Sequence, residues 1–347
     1  MPATLHLDAA DPADLARAAA LLRAGGTVAF ATETVYGLGA NALSPDAVAK
    51  IFAAKQRPAW DPLIVHIASI DDLSTIAAIP AALQSRIATL AAAFWPGPLT
   101  LLLPRQPVIP DAVTAGRPLV GVRIPSHPAA LALLQAAGLP IAAPSANTFG
   151  HTSPTTAAHV LADLNGRIDA VLHAGPTTVG LESTVLDPTQ TPMLLYRPGA
   201  VTPEQITAAT GIAVEIFQPS QAPASTPPQS MPSPGVGIRH YAPRARLVLV
   251  HGSQLALNVA LNDVAPSERT GVLLPTGWHI LPDAPPIVVQ HWAPWDNLQA
   301  LAATLFSGLR ALDDRHATLI LCPIPPPGGL ADAIRDRLQK AARPPTS

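Results

Sequence analysis

The chain has 347 residues, 48% of them hydrophobic, a formal net charge of −2 and a single cysteine, Cys322. The length points to two domains, and the hydrophobic fraction excludes global disorder. The near-neutral charge excludes a dedicated nucleic-acid coat, and one cysteine excludes a disulfide framework or a Cys-rich zinc site. The amino-terminal run MPATLHLDAADPADLARAA lacks the basic and apolar regions of a signal peptide, and the longest apolar stretch, 129–144, is broken by Gln135, Gly138 and Pro140. The expectation is a cytoplasmic protein with no membrane partner.

In chain order, Thr27 to Phe30 reads as a short buried strand, and Ser44-Pro45 as a helix start with serine as the cap and proline in the first turn. Leu63 to Ile67, Leu99 to Leu103 and Leu119 to Ile124 read as strands. His127 to Ala137 is helical, Pro140 to Ala143 extended, and Thr155 to Leu164 helical. Strands follow near Ala170 to Leu172, Ser183 to Leu186 and Met193 to Leu195. This alternation predicts an α/β domain with a mixed sheet over 1–217. The uncharged run QPSQAPASTPPQSMPSPGVG predicts a linker, bounded at 218–243. A second pattern over 244–347, with strands at RLVLVHG, GVLLP and ATLILCP and helices near 297–312 and 330–342, predicts a small doubly wound unit of about a hundred residues.

Lys55 and Arg57 are the most informative local feature, because the chain has only three lysines, Lys50, Lys55 and Lys340. Two cations at i, i+2 before an apolar strand ending in His66 suit an anion held between them, above all a polyphosphate. The plainer reading is a basic last helical turn that complements the helix dipole. Thr32 to Gly39 follows a strand and offers hydroxyls and two glycines, but it has neither P-loop nor dinucleotide-fingerprint spacing. Ser145 and Asn147 lie after a strand, where α/β sheets bind ligands, and equally suit a helix cap. Ser153 is an ordinary helix-start residue by the same logic. Ser183, Arg197 and Arg123 add hydroxyls and cations at strand ends. Taken together, these positions predict one pocket. Arg239-His240-Tyr241 is more specific than a tether requires, and predicts a linker that folds back over a ligand.

The ordered set TETVYGLGANA, KQRP, DPLIVHI, FWPGPLT, VRIPSHP, PIAAPSANTFG, SPT, DLNGRID, ESTVLD, LYRPG, SPG and RHYAP resembles the threonylcarbamoyl-AMP synthase family in its long form. The resemblance implies a YrdC-like twisted mixed sheet with a ligand cavity, followed by a small Rossmann-like domain. It also implies the reaction. L-threonine and bicarbonate or CO2 give a carbamate that attacks the α-phosphate of ATP, releasing pyrophosphate and threonylcarbamoyl-adenylate. A partner transferase complex then passes the group to an adenosine beside a tRNA anticodon. By the same resemblance Lys55, Arg57, Ser145, Asn147, Ser153, Arg197 and Tyr241 attend ATP, with Lys55 and Arg57 stabilising charge on the leaving pyrophosphate. Thr32, His66, Arg123 and Ser183 attend threonine, with Arg123 placed to pair with its carboxylate. No side chain stands out as a general base. Mg2+ travels with ATP, since no carboxylate cage is visible and no protein metal site is expected.

Three departures from the family pattern are Ala31 for proline, Asp61 for asparagine and Gly237 for an aromatic residue. Asp61 puts a carboxylate beside the expected phosphate ligands, which weakens binding unless Lys55 or Arg57 pairs with it. Two other functions stay in play. One is carbamoyl transfer from carbamoyl phosphate in a related pocket. The other is an RNA-binding module, against which the charge and the lack of clustered aromatics argue, with weak tRNA contact left open. The second domain carries no glycine-rich fingerprint and is expected to help the linker close. Cys322 is expected to be a buried core residue.

Overall fold

The computed structural model describes residues 3–218, 230–231, 233, 240–265, 267–281 and 286–344. Most of the proposed linker therefore lies outside the described residues, including Gly237 and Arg239. The chain divides into two compact units. One comprises Met1–Phe149, Pro154–Thr178 and Glu182–Val236, and the other comprises Gly150–Ser153, Val179–Leu181 and Gly237–Ser347.

The first unit is built on eleven strands: β1 Leu5–Asp8, β2 Val28–Ala31, β3 Tyr36–Asn41, β4 Ile64–His66, β5 Leu99–Pro104, β6 Leu119–Arg123, β7 Ile141–Ala142, β8 Ala170–His173, β9 Thr184–Asp187, β10 Met193–Arg197 and β11 Val214–Ile216. They join in the order β1-β8-β2-β3-β7-β4-β6-β5-β9-β10-β11. The pairing is mixed. β8 runs parallel to both β1 and β2, with Leu5 opposite Ala170, while β2 and β3 form an antiparallel hairpin.

Both faces of this sheet are covered, and β2 shows why. Its residues alternate between two apolar clusters, as a strand buried on both faces requires. Val28 and Phe30 join Leu22 and Leu133, from the helices Pro12–Arg23 and Pro128–Ala137. Ala29 and Ala31 join Leu38, Ile51, Val65 and Val122. Each helix begins as its sequence directs. Asp11 accepts from the Ala13 amide and Ser44 from the Ala47 amide, with proline in the first turn of both. The helix Pro45–Lys55 stops at Gln56, whose left-handed backbone (φ 54°) ends it between Lys55 and Arg57.

From Tyr36 the Thr32 to Gly39 stretch is strand β3. Its glycines serve packing. A Cβ on Gly39 would lie 2.8 Å from both Ile141 Cγ2 and Phe30 Cε1, so only glycine lets the neighbouring side chains close over the hairpin. Strand β1 and the helices Pro12–Arg23 and Ala81–Phe94 add to the elements read from sequence.

The second unit carries a four-stranded parallel sheet of β12 Arg246–His251, β13 Thr270–Thr276, β14 Ile287–Pro294 and β15 Leu319–Ile324, in the order β12-β15-β13-β14. Val272 and Leu274 of β13 meet Leu257 and Leu261 of the helix Gln254–Asn262. On the opposite face Leu273 lies against the helix Leu298–Asp314, where a Cβ on Gly308 would come within 2.6 Å of Leu273 Cδ1. Helices thus cover both faces, the doubly wound arrangement expected. Cys322 is fully buried in β15, and burial pushes its thiol far above the ordinary range, as suits a core residue. Among the described residues, no helix is long and apolar enough to cross a membrane.

Candidate active site

Polar side chains are rare inside proteins unless partnered, so the buried ones here mark the region of interest. In the first unit Thr32, Glu33, Thr34, Lys55, Arg57, Asp61, His66, Arg123, Asn147, Ser183 and Arg197 are all buried. Sheet order explains much of the clustering. Arg123 ends β6, His66 ends β4 beside it in register, Ser183 precedes β9, and Arg197 ends β10.

Lys55 is 1% exposed and donates to the carbonyls of Ser145 and Asn147, each at 2.5 Å. Those two residues follow β7, and Ser145 bridges back to Gly37 of β3. Ser145 and Asn147 therefore hold the lysine through their backbones. An ammonium has three N–H donors, so one remains available to a ligand. Burial, followed by the Arg57 charge, holds Lys55 well below the ordinary lysine range, and Asp61, Asp163 and Glu182 partly offset this.

Arg57 resolves the question raised by Asp61. The two form an ion pair at 2.9 Å, at i, i+4, and Arg57 also donates to the carbonyls of Asp61 and Pro62. Its guanidinium lies over the Phe149 ring, 5.8 Å from the centroid. Asp61 thus answers the arginine rather than facing a phosphate site as a bare charge. Within the protein, carbonyls and a carboxylate balance Lys55 and Arg57.

A second cluster centres on Arg123. Its Nε donates to Gly97 O, Nη1 to Thr34 Oγ1, and Nη2 lies 2.6 Å from Glu33 Oε1. That last contact is close but poorly aligned, and neither Glu33 oxygen makes a well-formed hydrogen bond among the described residues. Burial pushes the Glu33 carboxyl up, but the Arg123 charge and the backbone amides of Glu33 and Ser126 outweigh it and leave it below the usual range. Thr32 Oγ1 caps the turn, donating to Val35 O and contacting Thr34 Oγ1 at 2.8 Å. His66 is 4% exposed, and its Nδ1 also lacks a partner among the described residues. Burial and the Arg123 charge depress its pKa to about 3, so the imidazole is neutral across the physiological range.

Ser183 and Arg197 form a third group. The arginine Nε donates to Ser183 O at 2.9 Å and Nη2 to Ser183 Oγ at 3.1 Å, while Ser183 Oγ meets Thr100 Oγ1 at 2.8 Å. A residue expected at threonine thus orients one expected at ATP. Gly199 follows in a cradle only glycine fits, since a Cβ there would lie 2.4 Å from the Thr184 amide.

The remaining two expected site residues, Ser153 and Tyr241, belong to the second unit. Arg310 donates to the carbonyls of Thr152 and Ser153. Tyr241 is 1% exposed, with its left-handed backbone (φ 63°) held by Thr152 Oγ1 on its carbonyl and the Ala242 amide on Gly150 O. Arg337 lies over its ring at 5.2 Å and Phe306 stacks on it at 5.8 Å.

Sequence reasoning passed over Glu33, Thr34 and Thr100 as site residues. All three lie inside motifs already singled out, TETVYG and FWPGPLT. Burial and partners some 90 residues away, as in Arg123 with Thr34, are what distinguish them, and neither shows in a linear sequence.

A mixed sheet whose strand ends carry buried cations, hydroxyls and a carboxylate is an arrangement that suits an α/β enzyme. Residues 20–199 match the Sua5, YciO and YrdC family, described as telomere recombination, and residues 201–343 match the threonylcarbamoyl-AMP synthase C-terminal domain. The threonylcarbamoyl-AMP synthase of Bacillus subtilis is 43% identical over 98% of this chain and 95% of its own length. That of Schizosaccharomyces pombe is 36% identical over 91% and 84%. The solved structure of Pyrococcus abyssi Sua5 complexed with L-threonine has a TM-score of 0.85 at 38% identity, covering 98% of this chain and 97% of that one. The chain belongs to the threonylcarbamoyl-AMP synthase family, in its long two-domain form.

Proposed function

We infer that the protein is an L-threonylcarbamoyladenylate synthase. It converts L-threonine, bicarbonate or CO2, and ATP into threonylcarbamoyl-AMP and pyrophosphate, the precursor for threonylcarbamoyladenosine beside the tRNA anticodon. The observation that carries this reading is the end-to-end similarity to curated synthases, with both domains matched. The threonine complex of the archaeal relative supports the amino acid as a substrate.

The residue roles are our proposal. Lys55, held by two carbonyls, directs its remaining N–H to triphosphate oxygens, and Arg57 adds positive charge as pyrophosphate leaves. Because the carbonyls already orient Lys55, little reorganisation is needed when charge develops. Ser145, Asn147 and Arg197 complete the nucleotide contacts of the first unit. Thr32, Arg123, Ser183 and the neutral imidazole of His66 receive threonine, with Arg123 on the carboxylate. The protein's main contribution to adenylyl transfer is to hold the carbamate and the α-phosphate together. Magnesium accompanies ATP as the substrate complex. Phosphate oxygens supply most of its ligands. The product passes to a downstream tRNA threonylcarbamoyl transferase in the cytoplasm, with any direct tRNA contact weak.

The test is pyrophosphate release by the purified protein, with threonine and bicarbonate omitted singly. Release that needs both is expected. Release with carbamoyl phosphate in their place would transfer the assignment to carbamoyl chemistry, and no release with retained RNA binding would make it a binding module.

A further inference from the structure

Glu33 is the one buried carboxylate of the Arg123 cluster, and the roles above leave it unused. It is 5% exposed, sits in the turn between β2 and β3, and is flanked by Thr32 and Thr34. Among the described residues it is ion-paired with Arg123, at 2.6 Å, and the amides of Glu33 and Ser126 also act on it, but neither of its oxygens makes a well-formed hydrogen bond. A buried carboxylate with open acceptor positions is costly unless something fills them, and cationic N–H donors fill them best. A zwitterionic amino acid carries both complementary groups: a carboxylate for Arg123 and an ammonium for Glu33.

We propose that Glu33 is a catalytic residue that binds the α-ammonium of the amino-acid substrate and takes its proton, freeing the amine for carbamate formation. This rests on the threonine reading of the Arg123 cluster. The steps balance. The N–H bond of the ammonium breaks and an O–H bond forms on Glu33, giving a neutral amine and a carboxylic acid. The amine lone pair then attacks CO2. The resulting N–H proton leaves to solvent, and a carbamate anion remains to attack ATP. Glu33 returns its proton to solvent at the end of the turnover.

The cluster supplies the driving force. In the structure Arg123 balances one carboxylate, Glu33, and so holds it ionised. With an amino acid bound, the same guanidinium faces two carboxylates in a buried site, and two such groups sharing one cation favour uptake of one proton. Substrate binding itself therefore makes Glu33 a better base. The other titratable groups near Glu33 do not compete for that proton. His66 on β4 is already neutral, with a pKa near 3, and His127, which caps the helix Pro128–Ala137, is likewise held below its ordinary value by burial.

Glu33→Gln keeps the shape and removes the base. Its kcat for threonine-dependent pyrophosphate release should fall by about a hundredfold or more. The decisive readout is pH. At saturating bicarbonate, wild-type kcat/KM for threonine should be nearly flat between about pH 7 and 9, whereas the variant, dependent on amine freed in solution, should gain close to tenfold per pH unit. Glu33→Asp should restore part of the activity together with the flat profile. The reverse reaction, ATP formation from threonylcarbamoyl-adenylate and pyrophosphate, needs no ammonium deprotonation and should suffer far less. Parallel pH profiles for Glu33→Gln and wild type, or equal losses in both directions, would reduce Glu33 to a support for Arg123. If the glutamine variant does not fold, the wild-type profile decides, since a tenfold rise per pH unit there overturns the proposal. Absence of threonine- and bicarbonate-dependent release by the wild type would instead remove the parent assignment, a distinguishable failure.

Discussion

The Lys55 and Arg123 clusters are built from the same ingredients and finished differently. Around Lys55 the cations meet backbone carbonyls and a carboxylate four residues from Arg57. Around Arg123 the partners come from two distant segments, the turn between β2 and β3 and Gly97 before β5, and a carboxylate and an imidazole nitrogen lack well-formed hydrogen bonds among the described residues. The first cluster is a fixed electrostatic seat, suited to a triphosphate whose charge is the main thing to stabilise. The second is an under-bonded, titratable site, suited to a ligand that brings its own donors and exchanges a proton.

Lys55→Ala should produce the largest effect. Removing a preorganised donor to the leaving group is expected to lower kcat about a thousandfold, with threonine KM little changed. A loss confined to threonine KM would reverse the roles of the clusters. Arg123→Leu tests the other side through stability, because it leaves Glu33 as a buried unpaired charge. A loss of about 3–5 kcal/mol by urea unfolding is expected, along with loss of threonine binding by calorimetry. An unchanged midpoint would show that the Glu33 carboxylate is solvated after all.

His66 sets a smaller, pH-dependent effect. Its folded pKa of about 3 lies below its ordinary value of 6.5, so the unfolded chain takes up the proton first. The stability tied to neutral His66 is present above pH 6.5 and drains away as pH falls toward 3. Between pH 7 and 5 this amounts to about 2 kcal/mol, which His66→Gln should not show when unfolding is compared at the two pH values. Equal losses in both proteins would mean that His66 is solvated. The smallest change belongs to Asp61→Asn, which releases Arg57 from its counter-charge at 2.9 Å. ATP KM should drop roughly threefold while stability falls by about 1–3 kcal/mol, both modest because the carbonyl bonds to Arg57 remain. An increase in ATP KM would mean that Asp61 orients Arg57 for phosphate.

Much of this was legible in the sequence where the signal is local. Ser44-Pro45 announced its helix, and the apolar runs at 99–103 and 119–124 became β5 and β6 within a residue or two. Reading failed where glycine served packing, as at Gly39 in β3, a strand its residues did not announce. It failed again at β14, whose mixed run IVVQHWAP shows no clean alternation on an edge strand. Within the site, cations at strand ends could be found by inspection. The hidden part was who answers them: Asp61 four residues from Arg57 was visible as an oddity, whereas the Glu33 to Arg123 pair exists only once β2, β3 and β6 are assembled.

The place of β8 between β1 and β2 also constrains how the chain is made. Leu5 cannot find its partner until Ala170 has been synthesised, and Val28 waits for the same strand. At roughly 5–20 residues per second, the ribosome leaves the amino-terminal segment and one edge of β2 without that partner for on the order of ten to thirty seconds. An unpaired apolar strand edge, VAFA, is an invitation to pair with another chain. The time window in which nascent chains most need protection from one another therefore closes with the emergence of β8, long before the second unit is made.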